Sequence, residues 1–314
     1  MVVGILASAL AGALWALTFV APLVAAPYSP FDLTIGRFLV FGLTSLLALL
    51  PSRFAALRGL SWRQWALLGM LGFAGNAGYY LFMSFAVLRV GPAIVALIIG
   101  CLPVILTIVG NRGSRRVPLM RIAPSLISII ASLALVNGAA LSQPEMAGDL
   151  SSLVIGVASA FGAVALWTWY GLRNALALSE FSTLSSAQWS LLTGVGTLIS
   201  LGPLLCIGLA AGWSAVPAIG LSGPEALGIL LWSVLLGMLS SWAATWAWSI
   251  ATRHLSVSLA SQLIVFETIF TLIYVMLLDW RFLDWKEGVG ACLLIAGVVM
   301  AIRCFSQSKS FGVP

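Results

Sequence analysis

Ten apolar stretches fill almost the whole chain, and the charged residues between them sort by side. They run over residues 2–24, 31–50, 62–88, 92–111, 119–139, 150–172, 183–211, 225–252, 256–279 and 285–303. Numbering the loops alternately puts Arg53, Arg58, Arg63, Arg112, Arg115, Arg116, Arg121, Arg173, Arg253, Arg303 and Lys309 on the side of the N-terminus. Only Arg89, Arg281 and Lys286 fall opposite. The acids reverse the pattern: Asp32, Glu145, Asp149, Glu225, Asp279, Asp284 and Glu287 lie on the second side, against Glu180 alone. Basic loops stay in the cytoplasm, so both termini are expected there. The sorting supports the span count independently of hydropathy.

A chain that is 61% apolar and 8% charged is not a soluble domain. A span takes about 20 residues, so ten spans use roughly 200 positions and leave loops too short for an extramembrane domain. The net charge of +6 is then the cytoplasmic excess that meets anionic lipid, with no nucleic-acid partner implied. Cys101, Cys206, Cys292 and Cys304 show no CxxC spacing and read as small core residues, without metal or disulfide. The first stretch lacks a charged leader and is too long for a signal peptide, so it is expected to stay as the first helix.

The two halves of the chain correspond. Ala13-Leu14-Trp15 returns as Ala165-Leu166-Trp167, with Gly4 matching Gly156 and Ser8 matching Ala160. Arg37 falls near Gln188, Gly72 near Gly237, Arg89 on His254, Leu102 on Glu267 and Pro103 on Thr268. The expected division is a first five-helix repeat over 1–140, a polar connector over 141–149, a second repeat over 150–304 and a tail over 305–314. Five spans is an odd number, so the second copy enters the membrane upside down. Inverted repeats are a recurrent build for secondary transporters.

These residues resemble the drug/metabolite transporter superfamily, in its bacterial exporter branch of EamA-type repeats. Trp15, Trp167 and the Arg37-Phe38 pair carry the resemblance. So does the stretch from Gly91 to Val104, which matches Ser256 to Ile269. Glu267-Thr268 and Leu102-Pro103 each keep one residue of that family's Glu-Pro signature. Within the branch, the pattern is similar to the YddG-type exporters of aromatic amino acids. The resemblance implies an all-α fold of ten helices, residence in the bacterial inner membrane and amino acids as substrates.

No phosphate loop, HExxH or GxSxG motif is present, and there is one histidine, so neither an enzyme nor a cofactor is expected. No obligatory protein partner is evident; lipid and a small-molecule substrate are the expected contacts. Glu267 stands at bilayer depth, where a charged carboxylate costs on the order of 2.5–3.5 kcal/mol. It can couple protons, hold a substrate ammonium, or stay neutral and hydrogen-bonded between helices. Arg37 can snorkel to the surface, pair with a substrate carboxylate, or lock onto an acid such as Asp32.

Aromatic and polar residues mark particular helix faces. Asn76, Tyr79, Tyr80 and Met83 share one face by spacing, Trp242 and Trp246 another, with Trp248 beside them. Trp167 with Tyr170, and Trp15 with Thr18 and Phe19, repeat the pattern. With Gln188 and Gln262 these residues are expected to line a central cavity. Gly91, Pro92 and Pro103 are the expected hinges, with Gly91-Pro92 starting the fourth helix. A substrate with an apolar body fits; fixed charges are too few for a polyanion. The rivals are a hydrophobic-cation exporter, with Glu267 and the rings as a cage, and a membrane sensor or scaffold that binds without moving its ligand.

Overall fold

Three helices begin on the same device, a serine and the residue three places on that cap each other. Ser29 pairs with Asp32, Ser61 with Gln64 and Ser185 with Gln188. Each pair satisfies backbone donors that the first helical turn leaves free. A computed structural model describes residues 1–24, 26–51, 55–110, 117–141, 150–278 and 285–310. The connector residues 142–149 and the tail residues 311–314 lie outside the described residues, as do the loop charges at 53, 112, 115, 116, 145, 149, 279, 281 and 284.

The described residues form helices and no strand. In order they are α1 (Val2–Val24), α2 (Pro30–Leu49), α3 (Trp62–Gly72), α4 (Gly78–Ile99), α5 (Leu102–Gly110), α6 (Leu119–Leu141), α7 (Leu150–Glu180), α8 (Ser186–Ala210), α9 (Val216–Ile219), α10 (Gly223–Leu235), α11 (Ala244–His254), α12 (Val257–Leu263), α13 (Phe266–Leu278) and α14 (Trp285–Ser310). Among the described residues, six helices are long and apolar enough to cross a membrane. Three shorter apolar helices, Val2–Thr18, Leu119–Leu135 and Leu259–Thr271, accompany them.

Two π-helical segments fall at matching places in the halves. Phe73–Ala77 joins α3 to α4, and Leu236–Ala243 joins α10 to α11. Each follows or includes one of the matched glycines, Gly72 and Gly237. A π turn inserts one residue, so every side chain beyond it is rotated by about 100°. Two full breaks also match. The chain leaves helix at Gly100 and Cys101 between α4 and α5, and at Ile264 and Val265 between α12 and α13. Pro103 stands in the first turn of α5, where a missing N–H costs nothing.

One expected boundary differs. Gly91-Pro92 does not open a helix, because α4 stays helical from Gly78 through Ile99. Proline removes a single donor, and a helix packed among others can run through it. In the second half the corresponding place is a true break, where Ser256 caps the start of α12.

Small residues let backbones meet where lipid supplies no hydrophobic drive. The contacts are reciprocal between halves. A Cβ on Gly4 would come within 2.6 Å of Leu255 and 3.0 Å of His254; one on Gly156 would strike Val90 and come within 2.9 Å of Arg89. Those four partners are the residues matched in sequence. Likewise Gly72 lies against the backbone of Gly196 and Thr197 on α8, and Gly237 against Val40 and the Arg37 carbonyl on α2.

Hydroxyls bind the remaining pairs. Ser128 donates to the Leu293 carbonyl (2.7 Å) and Ser132 to that of Gly290 (2.6 Å), joining α6 to α14. Asp32 accepts from Ser29, Ser214 and the Ala215 N–H, tying the start of α2 to the segment before α9.

Candidate functional site

Five rings from both halves of the chain meet in the interior. Trp15 on α1 stands edge-on to Trp167 on α7, with centroids 6.1 Å apart, and lies 5.5 Å from Trp248 on α11. Trp167 also meets Trp248 at 5.7 Å, Tyr170 at 5.7 Å and Tyr79 at 6.3 Å. Tilted and edge-to-face pairs of this kind suit the charge distribution of the rings. Trp167, Tyr170 and Trp248 are buried, while Trp15 and Tyr79 keep part of their surface open. Gly75 makes room for Tyr170, whose ring a Cβ there would strike.

Arg37 is buried and does not snorkel. Its Nε donates to Ser241 Oγ (2.8 Å) and its Nη2 to the Ser240 carbonyl (3.2 Å), both in the π segment between α10 and α11. The widened turn offers that carbonyl to a side chain. The guanidinium also sits over the Phe38 and Tyr80 rings at 4.8 and 5.1 Å. Nη1 has no hydrogen-bond partner among the described residues.

Glu267 stands in the first turn of α13, just past the break, where the free N–H groups of a helix start favour negative charge. Gly12 packs on its backbone: a Cβ there would lie 2.8 Å from the Glu267 nitrogen. Among the described residues the carboxylate accepts no hydrogen bond and enters no ion pair; Thr271 Oγ1 donates to the Glu267 backbone carbonyl (2.8 Å). Arg37 and Glu267 form no ion pair with each other. α1 gathers these parts, because Ser240 Oγ donates to the Leu14 carbonyl (2.6 Å) between Gly12 and Trp15.

The chain matches the inner membrane protein YtfF of Escherichia coli (strain K12) at 33% identity over 312 residues, covering 96% of each chain. It belongs to the YtfF family of membrane proteins. A solved crystal structure at 18% identity superposes with a TM-score of 0.74 over 99% of both chains, a likeness of fold alone. No protein-family model matches the chain.

In this YtfF-family chain the structure brings together Trp15, Tyr79, Trp167, Tyr170, Arg37 and Glu267 from the residues marked in the sequence. Tyr80 turns toward α2, edge-on to Phe38 at 6.3 Å. Met83 packs on the neighbouring apolar clusters.

The rest are placed elsewhere. Asn76 lies in the first π segment, and its amide donates to Thr197 Oγ1 on α8 (2.9 Å), so it does not share the Tyr79 face. Trp242 and Trp246 stack on each other at 6.3 Å, and Trp242 packs on the apolar cluster around Phe38 and Phe41, with no ring contact to Trp15 or Trp167 among the described residues. Trp246 is 39% exposed, whereas Trp248 is only 3% exposed. Beyond the second π segment, Trp248 takes the inward place. Gln188 is an exposed capping residue whose Oε1 accepts from the Ser185 N–H (2.8 Å). The caps instead align Asp32 with Gln188, which leaves Thr193 opposite Arg37. Gln262 is buried and accepts from Ser125 on α6, a tie between helices. Asp32 is committed to its cap, so it does not lock Arg37.

Proposed function

We propose that this chain is an inner-membrane secondary transporter that exports neutral amino acids with aromatic or other apolar side chains. It works as ten helices in two inverted five-helix repeats, with both termini in the cytoplasm, in the manner of the drug/metabolite exporters it resembles. The observation that carries the reading is the meeting of Trp15, Trp167 and Trp248, from both halves, beside the unpaired Arg37 and Glu267.

The physical case runs from packing to motion. Reciprocal glycine contacts, matched π segments and matched helix breaks are what two inverted copies of one unit would produce. Such a pair has two near-equivalent arrangements, one open to each side of the membrane. π segments and broken helices are where helices change register or bend. Equivalent rings meeting at the centre place flat apolar surface where either arrangement can present it. The name of the YtfF relative supports the inner membrane as the location.

Competition against a labelled substrate in proteoliposomes tests this reading. L-tryptophan, L-phenylalanine and L-leucine are expected to compete with L-tryptophan efflux, and quaternary ammonium compounds are not, because Arg37 repels a cation. Competition by the ammonium compounds alone would favour a hydrophobic-cation exporter instead.

A further inference from the structure

We infer that Arg37 and Glu267 are the two ends of a reader for the zwitterionic head of an α-amino acid, Arg37 taking the carboxylate and Glu267 the ammonium. The inference rests on the amino-acid reading above and goes on to say which residues recognise which group.

Three observations carry it. First, Arg37 is held but not used up. Ser241 and the Ser240 carbonyl occupy Nε and one hydrogen of Nη2. Nη1 and the second hydrogen of Nη2 remain, and these form the end-on fork that fits a carboxylate. Second, the Glu267 carboxylate has no donor among the described residues, although Thr271 lies one turn along the same helix. A half-buried acid at bilayer depth held merely for structure would be expected to have found one. Third, the two opposite charges flank the same stretch of α1, since Gly12 packs on the Glu267 backbone and Ser240, whose carbonyl holds Arg37, donates to the Leu14 carbonyl, yet they form no ion pair.

The other described charges are not candidates. Asp32 is spent at its cap, Arg253 donates to the Leu184 carbonyl, and Arg173 pairs with Glu180 at the surface. Arg58, Arg63, Arg89, Arg121, Glu225 and Arg303 are exposed, and Lys286 lies over the ring of the exposed Trp285.

Leaving opposite charges separated at bilayer depth is unfavourable unless something bridges them. A ligand carrying one of each sign, with no net charge, completes both ends at once. Arg37 sits over the ring of Tyr80, Gly12 on the Glu267 backbone is one turn from Trp15, and Tyr79 beside Tyr80 belongs to the ring cluster, so the side chain of the ligand would lie against Trp15 and Trp167. Simple amines and simple carboxylates each lack one end, and doubly blocked peptides lack both.

Blocked analogues separate the two ends. L-tryptophan methyl ester lacks the carboxylate charge, and N-acetyl-L-tryptophan lacks the ammonium. Each is expected to compete with L-tryptophan efflux about tenfold less well than L-tryptophan itself, the worth of one charge-assisted contact. Arg37→Gln should lose the preference for L-tryptophan over its methyl ester and keep that over the N-acetyl form. Glu267→Gln should do the reverse. Ser241→Ala, which frees the guanidinium without removing it, should weaken only the ester discrimination and serves if Arg37→Gln does not fold. Equal competition by all three compounds in the unsubstituted protein, or loss of both preferences together in either variant, would overturn the inference while leaving amino-acid transport intact. Absence of L-tryptophan flux altogether would instead overturn the transport reading on which it rests.

Discussion

Trp15 and Trp167, the same residue in the two halves of the chain, touch each other edge to face with ring centroids 6.1 Å apart. In the inverted arrangement proposed above, equivalent residues meet only near the axis that relates the halves, so this contact would mark that axis; Trp248, Tyr79 and Tyr170 close around it. The same logic holds for Gly4 with Leu255 and Gly156 with Val90, contacts exchanged between halves away from that axis.

Ring truncation should sort by position. Trp15→Ala, Trp167→Ala and Trp248→Ala are each expected to slow L-tryptophan efflux about tenfold or more, since each removes an aromatic contact area worth more than 1 kcal/mol. Trp62→Ala and Trp246→Ala should leave the rate within about twofold, because these side chains are 74% and 39% exposed and a lipid neighbour can replace either. Initial rates at matched protein density give the comparison. Equal losses in both groups would mean that the cluster is packing and not a binding surface.

Gly12→Ala should lower stability by about 1–3 kcal/mol, because the new methyl meets the Glu267 backbone, which cannot step aside. Gly202→Ala, where nothing lies within 4 Å, is the control and should be neutral or slightly stabilising. Thermal unfolding in detergent reads both. A neutral Gly12→Ala would show that α1 and α13 are not in tight contact.

Asp32→Ala removes a helix cap and three acceptor contacts to the segment at 214–215 and Ser29. A loss of about 1–3 kcal/mol is expected. Asp32→Asn keeps an acceptor and should recover part of it. No loss in the alanine variant would contradict the role assigned to this acid and reopen it as a partner for Arg37.

A reporter fused to the C-terminus and active only in the periplasm should stay silent, given eleven loop Lys and Arg on the side of the N-terminus against three opposite. Strong activity there would remove the inverted relation between the halves, since an even number of spans and a common cytoplasmic side go together.

Much of the fold could be read from the chain before any coordinates. The apolar stretches, the matched Trp15 and Trp167, and the interruption near Gly100 and Pro103 all rest on residue type, which is visible directly. What could not be read was helical register. Nothing in Leu236–Ala243 announces a π segment by composition, and beyond it Trp248, not Trp246, takes the inward place. The first π segment likewise split Asn76 from Tyr79. Gln188 is a different failure, because the signal was present: Ser185 three residues before it is a capping-box spacing, and hydropathy alone obscured it. Arg37 was identified, but its anchors on Ser240 and Ser241 depend on a distant helix that no local pattern specifies.

The most direct test is efflux of labelled L-tryptophan from proteoliposomes holding the purified chain, first with a clamped pH gradient and then with the gradient collapsed. Saturable efflux well above that of protein-free liposomes, at the same rate in both conditions, is the expected result, since the outward gradient of the amino acid suffices to drive it. Efflux no faster than from protein-free liposomes would contradict the assignment of this chain as an amino-acid transporter.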